Sequence, residues 1–334
     1  MLWAGKRFIM PNPIIAELTR GGIVESRHTG AYAVVNRNHE TVLSGGDIAA
    51  QVFPRSAIKA FQCLAMVESG AADRFGFTPE EISLACASHH AEPEHVRVAR
   101  AMLMKAGNDE TLYECGAHWP DAPLALRELA RSGGEAGAIH NNCSGKHAGM
   151  LALSRQLGID PKGYVKREHP VQRAIAATIG RYCDCDPDQL PCGIDGCSVP
   201  TWAIPLRNTA LGFARFTDPA DAAAQRIINS VRAHPLMVSG STGFDTQLMT
   251  AVPRVFAKGG AEGVHCGCVP HAGLGIAIKC DDGAGRGAGV AFAAVLAKLD
   301  VWTPAELKII KDFAHKDLTN CNGLQVGDIH AAAL

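Results

Sequence analysis

Residues 254–280 read RVFAKGGAEGVHCGCVPHAGLGIAIKC, in which three short apolar runs, 254–257, 263–269 and 274–280, are separated by glycine-bearing turns. Such spacing predicts an antiparallel three-strand meander. An Ala- and Gly-rich stretch, 285–299, follows and predicts a helix closing over the sheet. Toward the other end, GAYAVVNR (30–37) and TVLS (41–44) flank Asn38, His39 and Glu40 and predict a further strand pair. A helix is then expected to 69, with Pro54 at its start and Ala57, Phe61, Leu64 and Ala65 on one buried face. Between these ends, 93–105, 123–131, 146–156, 169–182 and 219–234 carry helical spacing of apolar residues. The order predicts an α/β protein of the α+β kind: one antiparallel sheet built from both chain ends and flanked by helices, with a helical subdomain inserted. Segments 1–60 and 240–334 form the sheet-containing domain in this reading, and 61–239 the mostly helical insert.

With 47% hydrophobic and 19% charged residues over 334 positions, the chain is neither disordered nor fibrous. Its 32 basic and 33 acidic residues are scattered, which argues against a nucleic-acid partner. No apolar run reaches the roughly 18 residues of a membrane span. The opening MLWAGKRFIMPNP puts Lys6 and Arg7 after its apolar start, so no secretory leader is expected. Twelve cysteines in a chain of this length are too few for a disulfide scaffold and point to a reducing, cytoplasmic compartment.

Chemistry is suggested first by Ser56-x-x-Lys59, a nucleophile and a base three residues apart at a helix start. With 13 serines and 12 lysines, chance alone gives about half such a motif per chain, so the spacing by itself is weak. Lys258-Gly259-Gly260-Ala261 lies at the end of a meander strand, where a glycine edge lets substrate approach the backbone and a lysine can hold a carboxylate. The backbone N–H groups of Ser56 and Ala261 are a candidate oxyanion hole. The incidental reading is a hairpin turn with a solvated lysine. For a metal, ligand spacing around Cys143 and Cys197 favours His147, and Cys183, Cys185 and Cys192 form a rival thiol cluster. Arg55, beside Ser56, suits bidentate capture of a carboxylate, and His147 or Asp195 the rest of an amino-acid head group.

S-x-x-K on a buried helix, then a helical insert, then K-x-G-A on a terminal meander resembles the penicillin-recognising serine enzymes and serine-dependent glutaminases. Their S-D-N tripeptide has no counterpart, which argues against lactam chemistry. FPRSAIK (53–59), CASHH (86–90), NCSGKHAGM (142–150), DGC (195–197) and AKGGAEG (257–263) together resemble the Rhizobium etli type L-asparaginases. The resemblance runs from about residue 53 to 290. It implies a serine β-lactamase-like fold, hydrolysis of L-asparagine to L-aspartate and ammonia, and a homodimer. It further implies Ser56 as nucleophile with Lys59 as its base, and Ser88 with Lys258 as a second serine–lysine pair. Cys143, Lys146 and Cys197 would bind Zn2+. Glutaminase or serine esterase activity on the same scaffold is the alternative reading, with a non-catalytic zinc-binding protein behind it.

Overall fold

The computed structural model describes residues 11–334, so the MLWAGKRFIM segment, on which the leader reading rests, lies outside the described residues. Its centre is an antiparallel sheet whose strands run in the order His315–Thr319, Gln325–Ala331, Ile14–Arg20, Ile23–Asn36, Leu274–Cys280, Val264–Val269 and Phe256–Gly260. Thr41–Gly45 is an eighth strand, paired with Ile23–Asn36. The expected meander and strand pair are present, and both chain ends contribute. Three strands, Ile14–Arg20 and the hairpin His315–Thr319 with Gln325–Ala331, were not foreseen.

Ile23–Asn36 is the pivot. Its first half pairs with Ile14–Arg20 and its second half, from Gly30 onward, with Leu274–Cys280. The first half alternates between exposed and half-buried positions up to the buried His28. Ala31–Val35 are wholly buried, as a strand covered on both faces must be. The cover is identifiable from register. Gly275 packs under the Leu206–Arg215 helix and Gly267 under Phe292 of the Gly285–Ala297 helix. Gly267 pairs with Ile276, the neighbour of Gly275, so the two helices lie on opposite faces. Leu206–Arg215 belongs to the 61–239 stretch, yet it covers the sheet. Rings of Phe61, Phe213, Phe216 and Phe256 join the Lys59–Glu68 helix, this cover helix and the sheet in one core. Among the described residues, no helix is long and apolar enough to cross a membrane.

Close helix–sheet approach at Gly275 depends on its missing side chain, because a Cβ there would collide with Ala210 O and Ala214 N. Gly275→Ala should therefore push the cover helix off the sheet and cost about 1–3 kcal/mol or more, read as a lowered midpoint in denaturant unfolding. An unchanged midpoint would mean the helix moves freely.

Candidate active site

Ser56 lies on a 3-10 turn, Arg55–Ile58, that runs directly into the Lys59–Glu68 helix. Arg55 takes a left-handed φ of 52°, a strained conformation for a side-chain-bearing residue next to the proposed nucleophile. The strand Phe256–Gly260 ends against this turn. A Cβ on Gly260 would stand 2.7 Å from Pro54 O and 3.0 Å from Ala57 N, so glycine there lets the serine turn and the lysine strand share one cleft.

Both lysines are buried, and both reach Ser88 rather than Ser56. Lys59 Nζ is 3.0 Å from Ser88 Oγ and also donates to Ala87 O. Lys258 Nζ is 2.9 Å from the same hydroxyl and 2.6 Å from Gly259 O. Ser88 is carried by the turn after the Pro79–Ala85 helix, whose N-terminus is fixed by a Thr78–Glu81 capping box. Its own N–H donates to Val238 O at 2.9 Å, and the N–H of His89 to Asn142 O at 3.1 Å. Ser56, Ser88, Asn142, Asp245, Lys258 and Ala261 line an open cleft of about 370 Å³.

Burial pushes Lys258 down to about 8, helped by the charge of Lys59 and opposed by Asp245. Asp245 is itself buried. Its Oδ2 accepts the Gly259 N–H at 2.8 Å, and its Oδ1 lies 3.0 Å from His265 Nε2, in ion-pair range although the ring N–H is not aimed along that line. Burial would raise the Asp245 carboxyl, but His265, Lys258 and the Gly259 N–H outweigh it and hold the group near 2. Nothing in the sequence reading singled out Asp245 or His265. The hairpin register that pairs Gly259 with His265 is the signal that could have led to them.

The proposed head-group residues are placed differently from one another. Arg55 Nε donates to Asp195 Oδ1 at 2.6 Å, so these two satisfy each other. Burial would raise Asp195, but Lys146 and Arg55 hold its carboxyl below the usual range. His147 is fully enclosed, 2.6 Å from the Tyr164 hydroxyl through Nδ1, and is not among the residues lining the cleft.

Cys143, Lys146 and Cys197 come together at the start of the Ser144–Leu157 helix. Lys146 Nζ donates to Cys197 Sγ at 2.8 Å. A hydrogen bond from Cys197 holds the Cys143 thiol well below its ordinary range against burial, with Lys146 adding to the effect. Two thiols and an amine converge in a buried place, with the lysine held as an ammonium, against burial, by its thiol neighbours; they become a donor set for zinc only when the ion displaces that proton. Cys183, Cys185 and Cys192 do not converge. Among the described residues, the one trio of His, Cys or carboxylate side chains whose ligand atoms meet is His28, Cys280 and Asp282.

Serines and lysines gathered around an open polar cleft are the equipment of a hydrolase, and here the class is that of the amidohydrolases. The chain belongs to the L-asparaginase II family, whose model matches residues 16–331. Among curated proteins none matches significantly. Of solved structures, a β-lactamase from Mycobacterium bovis is 15% identical, with 85% of this chain and 94% of that one covered and a TM-score of 0.43. Mglu, in its native form in 4.3 M NaCl, is also 15% identical; 85% of this chain and 61% of that one are covered, with a TM-score of 0.36. Likenesses this distant bear on neither substrate nor mechanism.

The carboxylate behind Lys258 generates a signed expectation. Asp245 favours the ammonium form, so Asp245→Asn should lower the Lys258 pKa from about 8. The corresponding limb of the pH profile of kcat/KM should move toward lower pH. A limb that stays in place while activity falls would reduce Asp245 to a purely structural role.

Proposed function

We propose that this chain hydrolyses L-asparagine to L-aspartate and ammonia through a serine acyl-enzyme, as the resemblance to the Rhizobium etli type enzymes implies. The observation that carries the reading is Ser88 Oγ held between Lys59 and Lys258 in the cleft that Ser56 also lines. Ser56 Oγ attacks the side-chain amide carbon and its proton passes to Lys59 as that amine turns toward it from Ala87 O and Ser88 Oγ. The N–H groups of Ser56 and Ala261 receive the developing oxyanion. Ser88, with a lysine on either side, delivers a proton to the departing nitrogen as the C–N bond breaks. Water then attacks the Ser56 ester, its proton returns through the same groups, and aspartate leaves. Arg55 and Asp195 belong to the head-group side in this reading, with His147 supporting them from the interior.

Cys143, Lys146 and Cys197 would hold zinc, which when bound supplies a fixed positive charge and ties the 143–146 and 195–197 segments together. The chain's own serines and lysines need no metal-bound water. All twelve cysteines are free thiols, which supports a cytoplasmic setting. A homodimer completes the reading.

Ammonia release from asparagine should vanish in Ser56→Ala, and mass spectrometry of a slowly turned-over ester should find the acyl group on Ser56. An acyl group on Ser88 would exchange the two serines' roles. Lys59→Ala and Lys258→Ala should each lower turnover by about 100-fold or more, and a near-normal rate in either removes that lysine from the mechanism. A fourfold or greater preference for glutamine or for an ester would favour the alternative substrates.

Metal analysis of purified protein should find about one zinc per chain at this cluster, lost in Cys143→Ala or Cys197→Ala and kept in Cys183→Ala or Cys185→Ala. Zinc loss should raise KM more than it lowers kcat. A collapse of kcat at saturating asparagine would place the metal in the chemical step instead.

A further inference from the structure

Away from the cleft floor, His28, Cys280 and Asp282 offer one nitrogen, one sulfur and one carboxylate oxygen whose ligand atoms all lie within 4.8 Å of one another. They come from distant parts of the chain. His28 is in the Ile23–Asn36 strand, and Cys280 ends Leu274–Cys280 with Asp282 in the turn beyond it. Sheet pairing of Gly30 with Cys280 and the Asp281 N–H donated to Thr29 O at 2.8 Å fix these segments side by side. Asp281 is taken up by Thr29 and Asn12, which leaves Asp282 to face the other two. Asp282 Oδ2 is 2.6 Å from His28 Nδ1, and its Oδ1 accepts from Cys280 Sγ at 2.9 Å and from the Ala284 N–H at 2.9 Å. His28 and Cys280 are buried while the Asp282 side chain is 48% exposed.

We propose that His28, Cys280 and Asp282 form a zinc site, separate from the Cys143, Lys146 and Cys197 cluster, with three protein ligands and one position open to water. Mixed N, S and O donors select zinc over magnesium or calcium, and three ligands with an exposed carboxylate at the mouth leave both an entry path and a free position. The hydrogen-bonded protons on Cys280 Sγ and His28 Nδ1 point at the carboxylate, which is where the ion would replace them. Coordination exchanges the Cys280 S–H for S–Zn with release of that proton, and the imidazole proton moves to Nε2.

One neighbour opposes binding. Arg286 Nε donates to His28 Nε2 at 3.2 Å, so in the loaded state two N–H groups would face each other and a cation would stand near the zinc. Arg286 is exposed, so outward rotation of its side chain would relieve this opposition without disturbing the core. It is therefore a brake on affinity, and its removal separates this proposal from a purely hydrogen-bonded cluster. Filled, the site would pin the Ile23–Asn36 strand to the turn that leads into Gly285, a residue lining the cleft.

The test uses the full chain carrying Cys143→Ala and Cys197→Ala, stripped with chelator and titrated with Zn2+ in competition with a chromophoric chelator, and separately with Co2+. Expected are about one zinc per chain and a thiolate-to-cobalt absorption band. Cys280→Ser should abolish the band and weaken zinc at least tenfold, and Arg286→Ala should tighten it several-fold. Asp282→Asn, at an exposed position, gives the ligand test should Cys280→Ser not fold by circular dichroism. If the double-cysteine background does not fold, the same Asp282→Asn change should cost the otherwise unaltered chain one zinc. Absence of saturable zinc, or binding unchanged by both ligand substitutions, overturns the proposal, as does an Arg286→Ala variant that binds no tighter.

Discussion

Lys59 and Lys258 approach one serine hydroxyl at 3.0 and 2.9 Å from distant parts of the sequence, and both side chains are buried. Burying two ammonium groups together is costly unless one gives up its proton or a counter-charge accompanies them. A counter-charge is present, Asp245 lying buried behind Lys258 as an anion, and burial pushes Lys258 down to about 8, so its proton is lost more readily than an ordinary lysine's. Gly259 is gripped through both its backbone groups, its N–H by Asp245 and its carbonyl by Lys258, so the lysine's position and its electrostatic support meet at one residue. Gly260 next to it permits the contact that brings Ser56 into the same space. Much of the local sequence is thus accounted for by the burial of one amine.

The thiol cluster is mechanically linked to this centre. His89, directly after Ser88, donates its backbone N–H to Asn142 O, and its Nε2 is 2.8 Å from Ser144 Oγ. Cys143 stands between those two partners in the chain. The Ser88 turn and the start of the Ser144–Leu157 helix are thus tied by two hydrogen bonds, and an ion at Cys143, if one is held there, would have a route to serine geometry without touching substrate.

Legibility in the sequence followed the strength of local pattern. Leu274–Cys280, Pro93–Lys105 and Pro123–Arg131 fall where their apolar spacing and flanking Gly or Pro put them. Ile14–Arg20 and the hairpin beside it in the sheet were missed because Glu17, Thr19, Asp317 and Asp328 interrupt short apolar runs; of these strands His315–Thr319 lies at the sheet edge. In the site, Ser56, Lys59 and Lys258 were visible as residue types in suggestive settings. The contact of Lys59 with Ser88 was not, because nothing local reports where a turn between two distant helices will place its hydroxyl. Asp245 was silent for a related reason: in Phe-Asp-Thr-Gln it reads as an ordinary first-turn acid, and only tertiary packing turns it into a buried anion. Arg55 and Asp195, read separately as substrate ligands, proved to be each other's partner.

The strand Ile23–Asn36 has two partners close in sequence, Ile14–Arg20 and Thr41–Gly45, and one far away, Leu274–Cys280, which bears on biogenesis. With Ile14–Arg20 it can form a local hairpin early, but Leu274–Cys280 and Gln325–Ala331 emerge much later. At ribosomal speeds of about 5–20 residues per second, the wait is roughly 10–50 s. During that time the edges of the hairpin lie open to other chains, and so high a contact order makes closure slow. Cross-strand pairs of Arg20 with Glu25 and Arg27 with Glu17, both solvent-facing, place charge along the waiting ribbon. Their small contribution to native stability understates what such charges can do: in these places they fit the pattern of gatekeepers, which keep an unfinished sheet from recruiting strands from its neighbours.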